Sequence, residues 1–188
     1  MQKHAYIIHG YGASPQHHWF PWLKTQLEQI EVATEVIALP NSEQPDFDAW
    51  QETLKKHIGT PTAQDIFIAH SLGTISILHY LSQCRPPRIA GLVLVSAFDK
   101  RLPELPILNS YIDQATLDLS VIQQMSPQIY SIISNNDSIV NPKISHEQAN
   151  TLQSNTITVT QGGHFLASDG FLQLPAAWEA MQQILSNT

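Results

Sequence analysis

Six short runs rich in apolar and β-branched residues punctuate this chain, at Tyr6 to Ile8, Thr34 to Leu39, Asp65 to Ala69, Gly91 to Val95, Ile129 to Ile133 and Thr156 to Thr160. Most are separated by enough chain for a helix. Parallel strands need such crossovers, so the alternation predicts a mostly parallel sheet covered by helices on both faces, a three-layer α/β architecture. The unbroken apolar run Gly91-Leu92-Val93-Leu94-Val95 suits a strand buried on both sides. Helical spacing fills the gaps: Trp19, Trp22, Leu23, Leu27 and Ile30 recur every three or four residues, as do Leu72, Ile75, Leu78 and Leu81, with Pro86-Pro87 closing the second set. Further helices are predicted from about Asp46 through Trp50, Leu54 and Ile58, near Pro142 to Leu152, and over Pro175 to Leu185. Residues 99–128, which carry Pro103 and Pro106, are less regular and read either as a small cap or as an irregular crossover.

A chain of 188 residues buries enough surface for a single domain, 1–188, without disulfide or metal staples. Its formal charge of −7 repels phosphate backbones and anionic lipid, which argues against nucleic acid as a partner. Cys84 is the lone cysteine, so no intrachain disulfide and no zinc cluster of Cys/His spacing is expected. The pair His17-His18 lacks a carboxylate or cysteine at ligand spacing, and neither a metal nor another cofactor is expected. The apolar run at the start is too short for a signal peptide, and none approaches the roughly 18 residues of a membrane span, which leads to an expected cytoplasmic location with no membrane partner.

Chemistry is concentrated where predicted strands end. In Ile66-Phe67-Ile68-Ala69-His70-Ser71-Leu72-Gly73-Thr74 a serine occupies the turn between a buried strand and a helix, with small residues two before and two after it. This is the context of a nucleophile elbow, with Ala69 in place of the usual first glycine. The Leu72 backbone N–H, at the start of the following helix, is a candidate oxyanion donor. A nucleophilic serine requires a base. Among nine histidines, His164 stands out because Gly162-Gly163 precede it just after the last predicted strand. His9 and His70 adjoin strand ends and are read as serving backbone geometry. An orienting carboxylate is expected from Asp137, in the turn-rich segment after the fifth strand; Asp99, after the fourth, is its rival. Ser71, Asp137 and His164 thus follow the order Ser, Asp, His, each beyond the C-terminal end of a different strand. The second oxyanion donor is expected to be the Tyr11 backbone N–H, in the loop His9-Gly10-Tyr11-Gly12.

With these residues in place, the chain resembles the small serine hydrolases of the YdeN and retinoblastoma-binding protein nine type, a compact branch of the α/β-hydrolase fold. The resemblance runs nearly end to end. It covers His9-Gly10-Tyr11, His18-Trp19-Phe20-Pro21-Trp22-Leu23, Leu39-Pro40-Asn41 with Pro45 and Trp50, Ala69-His70-Ser71-Leu72-Gly73, Asp137-Ser138-Ile139-Val140 and Gly163-His164-Phe165. It implies a six-stranded parallel sheet of order 2-1-3-4-5-6 without the antiparallel N-terminal hairpin of larger relatives, and the same Ser71, Asp137 and His164 triad. Retinoblastoma binding is not implied, since around its cysteine the chain reads Ser82-Gln83-Cys84-Arg85-Pro86 rather than Leu-x-Cys-x-Glu.

The function expected is a serine hydrolase of carboxylesterase type acting on a small-molecule ester through an acyl-enzyme on Ser71. The competing reading from the same fold is a catalytically silent protein-binding module. Dinucleotide binding fails on detail, because Pro15 takes the third fingerprint glycine position after Gly10 and Gly12, and the second strand ends in Leu39-Pro40-Asn41 with no acid to hold a ribose.

Overall fold

A computed structural model describes residues 2–187; Met1 and Thr188, the two ends of the expected domain, lie outside the described residues. Six strands, β1 (His4–Ile8), β2 (Ala33–Ile37), β3 (Asp65–His70), β4 (Gly91–Val95), β5 (Ile129–Ser134) and β6 (Asn155–Val159), pair in the order β2-β1-β3-β4-β5-β6, every pair parallel. The order and direction are those expected of the α/β-hydrolase fold.

Side-chain alternation sorts each strand between two cores. Along β3, Ile66 and Ile68 join one apolar cluster while Phe67 and Ala69 join the other, and along β4, Val93 and Val95 part from Leu92 and Leu94 in the same way. Helices α1 (Phe20–Gln29) and α7 (Pro175–Ser186) cover the first face through Phe20, Leu23, Leu27, Ala177, Met181 and Ile184. Helices α2 (Phe47–Ile58), α3 (Leu72–Cys84), α5 (Leu119–Met125) and α6 (Pro142–Leu152) cover the second. Two local departures have physical causes. Ile30 lies past the end of α1 as its C-cap and is exposed, since the chain must turn there into β2. β6 is an edge strand, so its side chains are largely exposed rather than buried on both faces.

α3 is buried on almost every side, and its serines satisfy their hydroxyls inside the helix: Ser76 Oγ donates to the Leu72 carbonyl and Ser82 Oγ to that of Leu78. Residues 99–128 explain this burial. They form a short 3₁₀ turn at Pro106–Leu108, then α4 (Asn109–Ile112) and α5. Leu102, Leu108, Tyr111, Ile112, Ile122 and Met125 all enter the second core. The segment is stitched to α3 by Tyr111 Oη with Ser76 Oγ, by the Thr116 N–H on His79 Nδ1 and by the Asp118 N–H on Ser82 Oγ.

Candidate active site

β3 ends at His70 and α3 begins at Leu72, leaving Ser71 alone at the corner with φ 53° and ψ −125°. A left-handed φ is costly for a residue with a Cβ and persists only where the surroundings over-determine it. Here they do. The Ser71 N–H donates to the Val95 carbonyl of β4 at 3.0 Å, and the Ser71 carbonyl accepts from both the N–H and the hydroxyl of Thr74, at 2.8 and 2.6 Å. With its backbone tied on both sides, the residue turns Oγ out of the helix and towards His164.

His164 Nε2 lies 2.9 Å from Ser71 Oγ, and His164 Nδ1 lies 2.8 Å from Asp137 Oδ2. An ionised carboxylate only accepts, so the Nδ1–H donates to Asp137 and the Nε2 lone pair faces the serine hydroxyl. Asp137 Oδ1 accepts the N–H groups of Ile139 and Val140, each at 2.9 Å, and Oδ2 also accepts the Ser96 hydroxyl at 2.7 Å. Burial alone raises the carboxyl's pKa, but the bonds from His164, Val140 and Ser96 outweigh it and hold Asp137 below the usual carboxylate value. Asp99, the rival acid, makes no bond to His164; its nearest cation is Lys100, 4.0 Å away.

The main chain around His164 hangs on side chains from other parts of the fold. His70 Nε2–H donates to the His164 carbonyl at 2.9 Å. Asp169 Oδ2 accepts the N–H groups of His164 and Leu166, at 2.9 and 3.1 Å, and His18 Nδ1 accepts that of Ala167 at 2.9 Å. Both histidines are neutral at pH 7. Burial, then the neighbouring His164, pushes His70 well below its ordinary value, and burial with His17 beside it pushes His18 to about 4.

The loop after β1 rests directly on the elbow. A Cβ at Gly10 would come within 3.0 Å of the His70 carbonyl and of Ser71 Cβ, and 3.2 Å of the Leu72 nitrogen, so only glycine lets the two turns meet. His9 is buried with both ring nitrogens engaged: Nε2 accepts the Leu39 N–H, which leaves Nδ1–H to donate to the Gly10 carbonyl, each at 3.0 Å. In a trans peptide the next N–H points opposite to that carbonyl, so the Tyr11 N–H is directed away from the His9 ring. The Leu72 N–H is the first of α3 and has no helical acceptor.

The structure therefore brings Ser71, His164 and Asp137 into one hydrogen-bonded chain and stacks the loop of Tyr11 against the turn of Leu72. Sequence reasoning passed over Ser96, Asp169 and the duty of His18, and for His9 and His70 it anticipated a backbone role without their partners. Ser96 carried a readable signal, a hydroxyl ending the apolar run of β4 one strand away from Ser71. Asp169 carried none, because its partners are backbone amides.

A family model for serine hydrolases matches residues 5–183. The chain is 35% identical over 187 residues to YdeN of Bacillus subtilis (strain 168), an alignment covering 99% of this chain and 98% of that one. The crystal structure of the B. subtilis ydeN gene product superposes with a TM-score of 0.94 over 98% of this chain and 100% of that chain. Est1E from Butyrivibrio proteoclasticus, at 13% identity, has a TM-score of 0.71 over 98% of this chain and 89% of its own, a likeness of fold.

Proposed function

The chain belongs to the serine hydrolase family, and we propose that it hydrolyses small carboxylic esters through an acyl-enzyme on Ser71. The observation that carries this reading is the proton path: Nδ1–H committed to Asp137 leaves Nε2 of His164 free to accept the Ser71 proton at 2.9 Å. Ser71 Oγ attacks the ester carbonyl as its proton passes to Nε2, and Asp137 stabilises the imidazolium. The oxyanion that forms is met by the Tyr11 and Leu72 N–H groups, backed by the N-terminus of α3. His164 then protonates the departing alkoxide. Water attacks the acyl-serine, gives its proton to the same nitrogen, and Ser71 is restored.

Substrate size follows from how residues 99–128 are used. Most of their large apolar side chains are spent in or against the core beside α3, with Ile107 the exposed exception, which leaves little with which to build a deep acyl tunnel. Each methylene placed in a dry pocket would add about 0.8 kcal/mol of binding; without a pocket, added methylenes gain nothing. Among the described residues no helix is long and apolar enough to cross a membrane.

The test is covalent labelling by a fluorophosphonate probe together with kcat/KM for p-nitrophenyl esters from acetate to palmitate, below their micelle concentrations. Labelling at Ser71, its loss in Ser71→Ala, and a kcat/KM that stops rising within about eight carbons are expected. An unlabelled wild-type protein, or a Ser71→Ala variant that keeps most of its activity, refutes the mechanism. A continuous rise to palmitate refutes the substrate class.

A further inference from the structure

Four adjacent strands surround the reacting atoms: β3 leads to Ser71, β5 to Asp137 and β6 to His164, while β4, between the first two, supplies none of the three. Val95 pairs with His70 on one side and Ile132 on the other, so the next residue, Ser96, stands level with Ser71 at the sheet edge. Ser96 is almost fully buried and has a left-handed φ of 47°, and its N–H donates to the Ile132 carbonyl at 3.1 Å. A strained conformation in a buried serine at this point calls for a reason in the side chain. Its hydroxyl supplies one: Oγ–H donates to Asp137 Oδ2 at 2.7 Å, the same oxygen that receives His164 Nδ1–H at 2.8 Å.

We propose that Ser96 is a positioning residue of the hydrolytic site, holding Asp137 Oδ2 towards His164 and sharing that oxygen's charge with the imidazole. The proposal rests on reading Ser71, His164 and Asp137 as the reacting set. Oδ1 is fixed by two backbone N–H groups, whereas Oδ2 has only two side-chain donors. Removing the hydroxyl has two consequences of different kind. The carboxylate loses one of the bonds that sets its plane, so the base is less well aligned. The charge on Oδ2 is then drawn upon by His164 alone, which favours the imidazolium and makes the base harder to deprotonate.

The titratable groups that face this pair are few. His70 lies on the β3 side, its ring centroid 4.9 Å from that of His164, His18 reaches in from the loop before α1, and Asp169 holds the His164 main chain. Burial pushes both His70 and His18 down, His18 to about 4, so neither carries charge at neutral pH. They leave the acid limb of the reaction to the His164–Asp137 pair.

The experiment measures the rate of Ser71 phosphonylation by a fluorophosphonate probe against pH, for wild type, Ser96→Ala and Ser96→Gly. Glycine removes the hydroxyl while relieving the left-handed backbone, so it reports even where alanine folds poorly. Expected is a several-fold slower plateau rate in both variants and an acid limb displaced to higher pH by a few tenths of a unit, consistent with losing one charge-assisted hydrogen bond. An acid limb that stays at the wild-type pH overturns the proposal, whatever happens to the plateau, because a merely structural serine would slow the reaction without moving it. Failure of the underlying reading is separable: it appears as labelling that survives Ser71→Ala.

Discussion

Gly73→Ala tests whether the elbow depends on backbone contact between α3 and β1. An alanine Cβ at this position would lie 2.5 Å from the His9 carbonyl oxygen and 2.6 Å from that of Ile8. That is about 0.8 Å inside an ordinary carbon–oxygen contact. The Ile8 carbonyl cannot retreat, since β1 is paired to β2 on one side and β3 on the other, and the buried His9 that follows is tied through its ring to the Leu39 N–H. The start of α3 must lift instead, carrying the Leu72 N–H and Ser71 Oγ with it. Overpacking against two backbone oxygens this close falls at the upper end of its usual range, about 3 kcal/mol, and the better helix propensity of alanine offsets about 1 kcal/mol, so a net loss of about 2 kcal/mol is expected. With an unfolding entropy of about 0.4 kcal/mol/K for a chain this long, the thermal midpoint should fall by about 5 °C. A displacement approaching 1 Å at the reacting atoms should slow fluorophosphonate labelling about 10²-fold. Gly59→Ala is the control: its Cβ meets nothing within 4 Å, although its φ of 63° makes it strained, so it should lose stability with no change in labelling. A Gly73→Ala protein that melts within 1 °C of wild type and labels at the wild-type rate would refute the close-approach argument.

Asp137→Asn should lower kcat by about 10⁴, by analogy with serine proteases in which the amide favours the wrong histidine tautomer, whereas Asp99→Asn should stay within about twofold; a reversal in steady-state assays would move the orienting acid to β4. Stability should fall as pH drops from about 6.5 towards 4, because burial holds His9, His18 and His70 uncharged in the fold while the unfolded chain takes up their protons first. The His18 part of that loss should level off near pH 4, and the part due to the depressed Asp137 should begin only at lower pH. Urea midpoints across this range should slope less steeply in His18→Asn, which keeps an acceptor for the Ala167 N–H without the titration; an unchanged slope would refute the assignment.

Much of this architecture was legible because each strand announces itself locally. β4 is a continuous apolar run and β3 holds one from Ile66 to Ala69, and the corner at Ser71 is marked by the small residues Ala69 and Gly73, which admit a close approach of helix and strand. The meeting of Ser71, Asp137 and His164 could be anticipated because a parallel sheet gathers the ends of its strands on one edge. What escaped was of another kind. The bonds of Asp169 and His18 to the main chain beyond β6 depend on where loop amides point, which no periodicity encodes. Residues 99–128 were ambiguous because their apolar positions follow the surface of α3 rather than a helical repeat of their own. The exposure of β6 was hidden because its place at the sheet edge is a property of pairing, not of Asn155-Thr156-Ile157-Thr158-Val159 itself.

The gathering of the site along one sheet edge also fixes when activity can appear as the chain folds. Ser71 and His164 are 93 residues apart in sequence, His164 and Asp137 27, and Ser96 and Asp137 41. No local contact brings any two of them together. Each waits for the closure of a long loop and the pairing of successive parallel strands, the slow class of folding event. Ser71, His164 and Asp137 become neighbours only once β3, β4, β5 and β6 are all in register, so the hydrolysis proposed for them is acquired late and returns, after denaturation, no sooner than those four strands.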